Sequence, residues 1–408
     1  MAKNMGVRLN DLYRDFVEGR IDRRELLKGA SALGMTAAGY AMFSRAIPAS
    51  AQDATPMASP IAGAGTPQAS YPVVKSPTRD ESRAKLMAWW KDYEKPAKTG
   101  GTFIYGDLGS NNITGFNLMV VSSAPTLTFC QAIQEFLYGT SPIDGQYVPG
   151  LADGWETATD GKTYTFHLNQ QAKWHDGQPF TADDVVFSFD AEKDTATQSA
   201  YTSSFNGVVG SYKKVDDHTV EVVATDVLAP IVFLSQALCP IVPQHIWKDV
   251  AHKDWVNDPG NTGADPSRVI GTGPFKFDST SASEGTSTLV ANPDYYDVKP
   301  TLDKVIFQTW PDDTSLLEAL TKGDVDLYHP VNPANVDTIK KSGTADVIVF
   351  DTYGFRWYGT NLRPEKTKLF TDVRMRQALL YALDRESIVK DLFLGMATVA
   401  QGTQPVLS

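Results

Sequence analysis

The sequence contains residue types that could support acyl transfer, but not at the spacing that this chemistry needs. Ser82-Arg-Ala-Lys85, Ser110-Asn-Asn112 and Lys98-Thr-Gly100 each match a fragment of the active-site motifs of penicillin-binding enzymes. They fall within about thirty residues and in the wrong order. Lys85 also lies in a polar segment, whereas a lysine that activates a serine needs a buried helix. We therefore interpret all three as chance matches.

Other catalytic and metal-binding signatures are missing from the sequence. It has neither a Gly-x-Ser-x-Gly nucleophile elbow nor a His-Glu-x-x-His zinc motif. Gly161-Lys-Thr163 lacks the glycine five residues earlier that a phosphate-binding loop requires. The closest histidine pairs, His167/His175 and His245/His252, do not have the i, i+4 spacing of ligands on one helix. We predict no enzymatic activity, no metal site and no cofactor.

Composition narrows the class of protein further. Lys plus Arg is 37 and Asp plus Glu is 48, a formal charge of −11, which argues against nucleic-acid binding because that needs a basic face. The length of 408 residues and the 42% hydrophobic share allow two or three domains with real cores. The two cysteines, Cys130 and Cys239, exclude a zinc knuckle or a disulfide-dense scaffold. They could form one long-range disulfide or remain buried thiols.

The first 51 residues resemble a twin-arginine export signal. The residues that carry the resemblance are Arg23, Arg24, Leu26, Leu27 and Lys28, followed by a weakly apolar run over 29–43 and by Ala49-Ser-Ala51. Asp22 departs from the motif, which prefers Ser or Thr there. The alternative is an ordinary amphipathic helix with two arginines. We predict export by the twin-arginine translocase to the periplasm or the cell surface, with no lipoprotein anchor because no cysteine follows the small-residue site.

The remainder alternates strand-like and helix-like segments. Residues 52–99 are predicted to form a flexible linker, over 52–78, and then a helix that leads into the fold. The predicted strands are Thr102–Tyr105, Thr163–Leu168, Thr219–Ala224, Gly273–Phe277, Lys304–Thr309 and Asp346–Phe350. The predicted helices are Leu127–Leu137, Ala182–Ala191, Thr314–Thr321, Pro333–Ser342 and Asp372–Leu394. Thr181 and Asp184 form a capping box, and Gly323 ends a helix. This pattern predicts an α/β architecture with β-rich insertions.

Four blocks of residues resemble one family. They comprise Gly100-Gly-Thr102; Tyr147–Ala152, Trp155, Asp160-Gly161, Tyr164–Leu168, Trp174-His-Asp-Gly177 and Pro179–Val185; Gly271–Phe275, Asn292–Tyr296 and Gly323–Asp326; and Asn361-Leu362, Phe370, Asp372–Ala378, Ala382–Arg385 and Gly395. In combination and in this order they resemble the extracellular solute-binding proteins of the peptide and nickel class, family 5. Most of these motif residues, Trp174 and His175 included, are expected to pack and hydrogen-bond locally rather than to touch a ligand.

The resemblance implies a two-lobe fold similar to the type II periplasmic binding proteins of cluster C, with an extra β-rich subdomain. The boundaries it implies are a signal peptide at 1–51, a linker and helix at 52–99, lobe I at 100–138 and 226–349, its β-rich subdomain at 139–225, and the start of lobe II at 350–408. Residues 401–408 match a point early in the second lobe of relatives. We therefore expect the second lobe to be incomplete and the chain to be truncated.

The resemblance also implies a function and candidate site residues. A family member captures a peptide or a similar small solute, such as a nickel chelate or a sugar, and delivers it to the permease and ATPase subunits of an ABC importer. The alternatives are a binding module of the same fold with a receptor or chaperone role and, less favoured, a secreted hydrolase. The candidate ligand contacts are Ser122, Ser123, Ala124, Tyr328, His329, Tyr353, Phe355 and Trp357. The alternative for Tyr353, Phe355 and Trp357 is that they pack the lobe core.

Overall fold

A computed structural model of the chain describes residues 71–90, 99–108, 113, 115–121, 124–141, 143–349 and 359–400. The strands are β1 (Thr102–Leu108), β2 (Tyr138–Thr140), β3 (Tyr147–Pro149), β4 (Ala152–Thr157), β5 (Thr163–Leu168), β6 (Val209–Asp216), β7 (Thr219–Ala224), β8 (Phe275–Ser281), β9 (Thr286–Ala291), β10 (Lys304–Trp310) and β11 (Leu327–Tyr328). The helices are α1 (Arg79–Trp90), α2 (Ala124–Cys130), α3 (Ala182–Lys193), α4 (Thr202–Val208), α5 (Pro230–Gln236), α6 (Gln244–Trp247), α7 (Pro259–Thr262), α8 (Asp313–Lys322), α9 (Val336–Ser342), α10 (Val373–Ala382) and α11 (Arg385–Ser387). Across this described part, none of the helices is long and apolar enough to cross a membrane.

A five-stranded mixed sheet with the order β11-β1-β10-β9-β8 is the largest of the sheets in the described residues, and it lies within the part that the sequence assigns to lobe I. Strand β1 runs parallel to β10 from the pair Thr102/Lys304 to the pair Leu108/Trp310, and parallel to β11 on its other side. Strands β9 and β8 continue the sheet in antiparallel order. The carboxyl ends of β1, β10 and β11 therefore meet at one edge of the sheet.

Both faces of this sheet are covered by apolar clusters, as the alternation of side chains along a strand requires. One face packs Phe307 against the buried side chains of Phe116, Phe129 and Leu289. The other face packs against α8 and α9 and contains the buried residues Leu316, Leu320, Val325, Tyr328 and Ile339. A Cβ added at Gly106 would come within 2.5 Å of the Leu316 side chain, so glycine allows α8 to approach β1 closely.

The part that the sequence assigns to the β-rich subdomain contains an antiparallel sheet with the order β4-β5-β7-β6, and the strands predicted over Thr163–Leu168 and Thr219–Ala224 are confirmed. Tyr164, Phe166 and Leu168 alternate into its core from β5, and so do Val220 and Val222 from β7. Helix α3 closes this core and begins, as predicted, at a capping box between Thr181 and Asp184.

Residues 71–76 lie along the outer edge of β4 and are held there by backbone hydrogen bonds. The sequence predicts a flexible linker over 52–78, and for these residues that prediction is wrong. The Thr157 N–H donates to the Val74 carbonyl and the Ser76 N–H donates to the Trp155 carbonyl, each at 2.9 Å. An edge strand presents unpaired backbone groups, so an extended segment of almost any composition can pair with it.

Helix α1 is fixed at its first residue by Arg79. This guanidinium donates to Asp297 at 2.6 Å and to Asp153 at 3.2 Å, and it lies over the Tyr296 ring at 5.3 Å. The Tyr296 hydroxyl donates in turn to the buried carboxylate of Glu135 at 3.0 Å. Because Asp153 begins β4 and Asp297 follows β9, one side chain joins the β-rich subdomain to the central sheet.

The Trp-His-Asp-Gly motif forms a second junction, and its role is structural, as the sequence predicts. The Gly271 N–H donates to Nδ1 of His175 at 3.3 Å, so the ring carries its proton on Nε2 and donates it to the Gly273 carbonyl at 3.0 Å. Burial lowers the pKa of His175 to about 4, so the ring is neutral at pH 7. The Trp174 indole donates to Asp184 at 3.2 Å and ties the motif to the start of α3.

Three predicted elements differ most from the structure. The helix predicted over Leu127–Leu137 ends at Cys130, since the Ala132 and Ile133 carbonyls accept N–H groups from Phe275 and Gly273. Residues 346–349 of the predicted strand Asp346–Phe350 form no strand, and Phe350 lies outside the described residues.

The third is the helix predicted over Asp372–Leu394, which breaks after Ala382. Leu383 is extended, and Asp384 begins a new turn by accepting the Ser387 N–H.

Elsewhere in the chain, Cys130 and Cys239 are both buried and free, so the disulfide that the sequence left open does not form.

Glu192 should make folding stability depend on pH near neutrality. It is fully buried at the end of α3, where the hydroxyls of Ser199 and Thr202 donate to it at 2.9 and 3.2 Å. Burial raises its pKa from the ordinary 4.5 to about 7. The folded state therefore binds a proton that the unfolded state has released, and stability falls as the pH rises from 4.5 to 7.

We expect Glu192→Gln to remove this contribution when urea unfolding is followed at several pH values. His175, with its lowered pKa, contributes the opposite slope between pH 4 and 6.5, so the comparison must be made between variants rather than on the native chain alone. The exposed Glu318→Gln is the matched control and should leave the slope unchanged. An unaltered slope in Glu192→Gln would contradict the assignment.

Candidate functional site

The carboxyl edge of the parallel strands is the candidate site, because open α/β sheets bind ligands outside the carboxyl ends of their strands. Strand β1 reaches this edge with Asp107 and Leu108, and β11 reaches it with Tyr328. Gly106 and Tyr328 are register partners, so His329, the next residue, emerges beside the end of β1.

A tyrosine–histidine pair lies near this edge. The Tyr105 hydroxyl is 3.1 Å from Nδ1 of the exposed His329, and the Tyr105 ring stacks on Phe307 with centroids 4.8 Å apart. Burial, assisted by the Asp107 carboxylate, raises the pKa of Tyr105 to about 12, so its phenol stays neutral and can donate a hydrogen bond. The peptide bond between His329 and Pro330 is cis.

Tyr328 does not lie on the ligand-facing surface that the sequence predicts for it. Its side chain is 4% exposed and packs against α8, where the hydroxyl donates to Asp313 and lies 3.4 Å from the Asn335 amide nitrogen. Alternation along β11 explains the difference, because it turns Tyr328 toward the helices. Tyr328 therefore packs in the core instead of facing a ligand, whereas the side chain of His329 is exposed.

A cavity of about 230 Å³ lies between the end of β1, the β8–β9 hairpin and β10. Asp107 lines it and is buried, with 7% exposure, and its Oδ1 accepts the Leu108 N–H at 2.7 Å. The other lining residues are polar but uncharged or apolar, and they include Phe116, Thr280, Phe307, Gln308 and Thr309. Such a surface can bind a small polar group.

This arrangement is suited to recognition. Hydrogen-bonding groups, aromatic rings and a buried carboxylate converge on one edge, as they do in small-molecule sites. Within the described residues, no three or more His, Cys, Asp or Glu side chains come together in a group that could hold a metal ion.

The other residues predicted from the sequence either begin a helix or lie outside the described residues. Ala124 is the first residue of α2. Five candidate ligand contacts lie outside the described residues: Ser122, Ser123, Tyr353, Phe355 and Trp357. The predicted export-signal residues also lie outside them: Arg23, Arg24, Leu26, Leu27 and Lys28. Tyr105 and Asp107 are not among the residues predicted from the sequence. The signal that could have found them is their place at the carboxyl end of the first predicted strand.

The different positions of Tyr328 and His329 can be checked by substitution. We expect Tyr328→Phe to lower the free energy of unfolding by about 1–3 kcal/mol, because it removes a buried hydrogen bond to a carboxylate. His329→Ala, on an exposed side chain, should cost less than about 1 kcal/mol. Urea unfolding followed by circular dichroism measures both, and equal losses in the two variants would contradict the placement of Tyr328 in the core.

Comparison with known proteins places this fold in a family. The family model described as bacterial extracellular solute-binding proteins, family 5 Middle, matches residues 146–408. The chain is similar to the dipeptide-binding protein of Escherichia coli (strain K12), with 30% identity over 328 residues, which cover 74% of this chain and 58% of that protein.

Solved structures show the same likeness. The oligopeptide-binding protein AppA from Bacillus subtilis, in complex with a nonapeptide, matches with a TM-score of 0.64 and 27% identity, covering 74% of this chain and 57% of that one. The ABC transporter substrate-binding protein CtaP from Listeria monocytogenes matches with a TM-score of 0.56 and 30% identity, covering 72% and 57%. The chain thus spans less than two thirds of the length of these relatives. The likeness confirms the predicted mixed α/β fold of a binding protein. The chain belongs to the family 5 bacterial extracellular solute-binding proteins.

Proposed function

We propose that this protein is the extracytoplasmic capture component of an ABC importer and that it binds peptides or a similar small solute. The observation that carries the proposal is the match of the family model over 146–408. Among the similar proteins whose names state a ligand, two support peptides: one is called a dipeptide-binding protein, and another was solved with a nonapeptide. Others are named for heme or were solved with agropinic acid, so the ligand class is the part of the proposal that needs testing.

The geometry of lobe I supports capture rather than catalysis. The carboxyl edge of β1, β10 and β11 presents the Tyr105–His329 pair and the cavity beside Asp107. From there the chain continues through residues 343–349 toward the part assigned by sequence to lobe II. A ligand that touches both lobes stabilises the closed arrangement because it gains contacts only there. No covalent bond is made or broken in this step, and the permease and ATPase subunits would recognise the closed form.

The export signal supports a location outside the cytoplasm. Arg23, Arg24 and the residues that follow resemble a twin-arginine signal, which would direct the folded protein through that translocase to the periplasm or the cell surface. A solute-capture protein works on that side of the membrane. Export by the twin-arginine translocase, a place outside the cytoplasm and delivery to the importer subunits thus all belong to the same proposal.

Native mass spectrometry of the full chain purified from cells tests the ligand class. We expect adducts whose masses, after release with acid, sequence as short peptides by tandem mass spectrometry. A released sugar or metal chelate would contradict the peptide assignment while keeping the capture function. If no adduct is seen and a mixed peptide library does not bind in solution, the capture function itself is contradicted.

A further inference from the structure

The Tyr105–His329 pair at the carboxyl edge has a definite direction of hydrogen bonding, and this direction decides what His329 can bind. We propose that Tyr105 is a positioning residue that keeps the ring proton of His329 on Nε2, so that this nitrogen donates a hydrogen bond to a carbonyl or carboxylate oxygen of the ligand. The inference rests on the proposed capture function. It adds to that function a role for Tyr105 and a preference for oxygen acceptors over metal ions.

The direction of the hydrogen bond follows from the chemistry of the two groups. The Tyr105 hydroxyl and Nδ1 of His329 are 3.1 Å apart, which is hydrogen-bond distance. An unprotonated imidazole nitrogen is a much stronger base than a phenol oxygen, so the shared proton lies on the oxygen and Tyr105 donates. A neutral imidazole carries one proton, so a ring that accepts at Nδ1 has its proton on Nε2.

Tyr105 is held in the protonation state and the position that this role needs. Burial, assisted by the Asp107 carboxylate, raises the pKa of Tyr105 to about 12, so the phenol keeps its proton at neutral pH. The register partner of Tyr105 across β1 and β10 is Phe307, and the two rings stack with centroids 4.8 Å apart and planes 20° apart. This stack holds the ring, and thereby its hydroxyl, against His329.

The backbone on both sides of His329 is held as well. Before it, Asp326 pairs with Ile104 of β1, since its carboxylate accepts the Ile104 N–H at 2.7 Å and its N–H donates to the Ile104 carbonyl at 3.0 Å. After it, the Asn332 amide donates to Asp313 of α8 at 3.1 Å. An exposed side chain on a fixed backbone can meet a ligand with little further loss of conformational entropy.

A ring with its proton on Nε2 is selective for the kind of ligand group it meets. Because Nδ1 is engaged by Tyr105, Nε2 is the nitrogen that this exposed ring offers. Its N–H can donate to the carbonyl and carboxylate oxygens that peptides carry. A metal ion needs an unprotonated nitrogen, so it could bind Nε2 only if the hydrogen bond with Tyr105 reversed its direction.

NMR spectroscopy of the 408-residue chain with ¹⁵N-labelled histidine tests the pair without any ligand. At about pH 8 an ordinary imidazole is neutral, and long-range ¹H–¹⁵N spectra show which ring nitrogen carries the proton. The signals of His329 are assigned by their loss in His329→Gln. We expect the native ring to be protonated on Nε2 alone and the Tyr105→Phe ring to be a mixture of both forms. Tyr201→Phe, on a half-buried tyrosine at the start of α4, is the matched control and should leave the His329 signals unchanged.

Isothermal titration calorimetry on the same chain, freed of bound ligand, tests the contact with a ligand. The probes are di-, tri- and tetra-alanine, their carboxyl-terminal amides, and Ni²⁺ alone. We expect His329→Ala to weaken peptide binding about fivefold, as the loss of one hydrogen bond would give. His329→Gln, whose amide can donate, should restore most of the affinity. The exposed His167→Ala is the matched control and should bind like the native chain.

A double-variant comparison shows whether Tyr105 acts through His329. Tyr105→Phe should weaken peptide binding about twofold, because about half of the rings would then carry the proton on the wrong nitrogen. In the His329→Ala background the same substitution should have no further effect. Circular dichroism melting confirms that each variant folds.

Each outcome discriminates. A loss in His329→Ala that is seen with the acids and not the amides assigns the accepting oxygen to the terminal carboxylate, and an equal loss with both assigns it to a peptide carbonyl. Protonation of Nδ1 in the native chain, unchanged peptide affinity in His329→Ala, or Ni²⁺ binding that depends on His329 would each overturn the proposal while leaving capture intact. No binding of any of the peptides would overturn peptide capture and the ligand role of His329 together.

Discussion

The parallel pairing of β1 with β10 is the constraint on which the rest of the structure depends. Thr102 and Lys304 are register partners, although most of the described chain lies between them. The chain between β1 and β8, including the whole β-rich subdomain, must leave the sheet and return to it. The entropy cost of closing a loop grows only slowly with the length of the loop. A long insertion is therefore tolerated if it forms a stable core of its own. The pairing also brings the strand ends together and thereby creates the candidate site.

Polar junctions fix the inserted subdomain to the sheet. Arg79 joins the start of β4 to the segment after β9, and its neighbour Tyr296 reaches the buried Glu135. His175 holds the loop before β8 through both ring nitrogens. Hydrogen bonds of this kind are directional, so they set the orientation of two units that apolar contacts alone would leave less defined. The family motifs are thus mainly parts of these junctions, which is why they identify the fold without marking the ligand.

Local pattern predicted the elements that depend on local chemistry. Strands β5 and β7 match their predicted bounds, because the alternation of apolar residues specifies them. The cap at Thr181 and the glycine after α8 also match. The sequence could not show that residues 71–76 pair with β4, since edge pairing uses the backbone and leaves no side-chain signature.

The candidate site was predictable only in part, for a similar reason. His329 was predicted because it follows a family motif, and its ligand role stays a prediction. Tyr328 is buried, because the side on which a two-residue strand buries its side chains depends on distant helices. Asp107 is one aspartate among many until the register of β1 and β10 places it in a cavity beside Thr309 and Phe307. Such a site is a property of long-range pairing rather than of any short motif.

Amide hydrogen exchange on the full chain, with and without saturating peptide, tests most directly the claim that the carboxyl edge is the capture surface. The account predicts slower exchange on ligand binding in fragments covering 102–108 and 327–330, with β6 and β7 of the β-rich subdomain unchanged. Ligand binding accompanied by protection confined to the four-stranded sheet would contradict it.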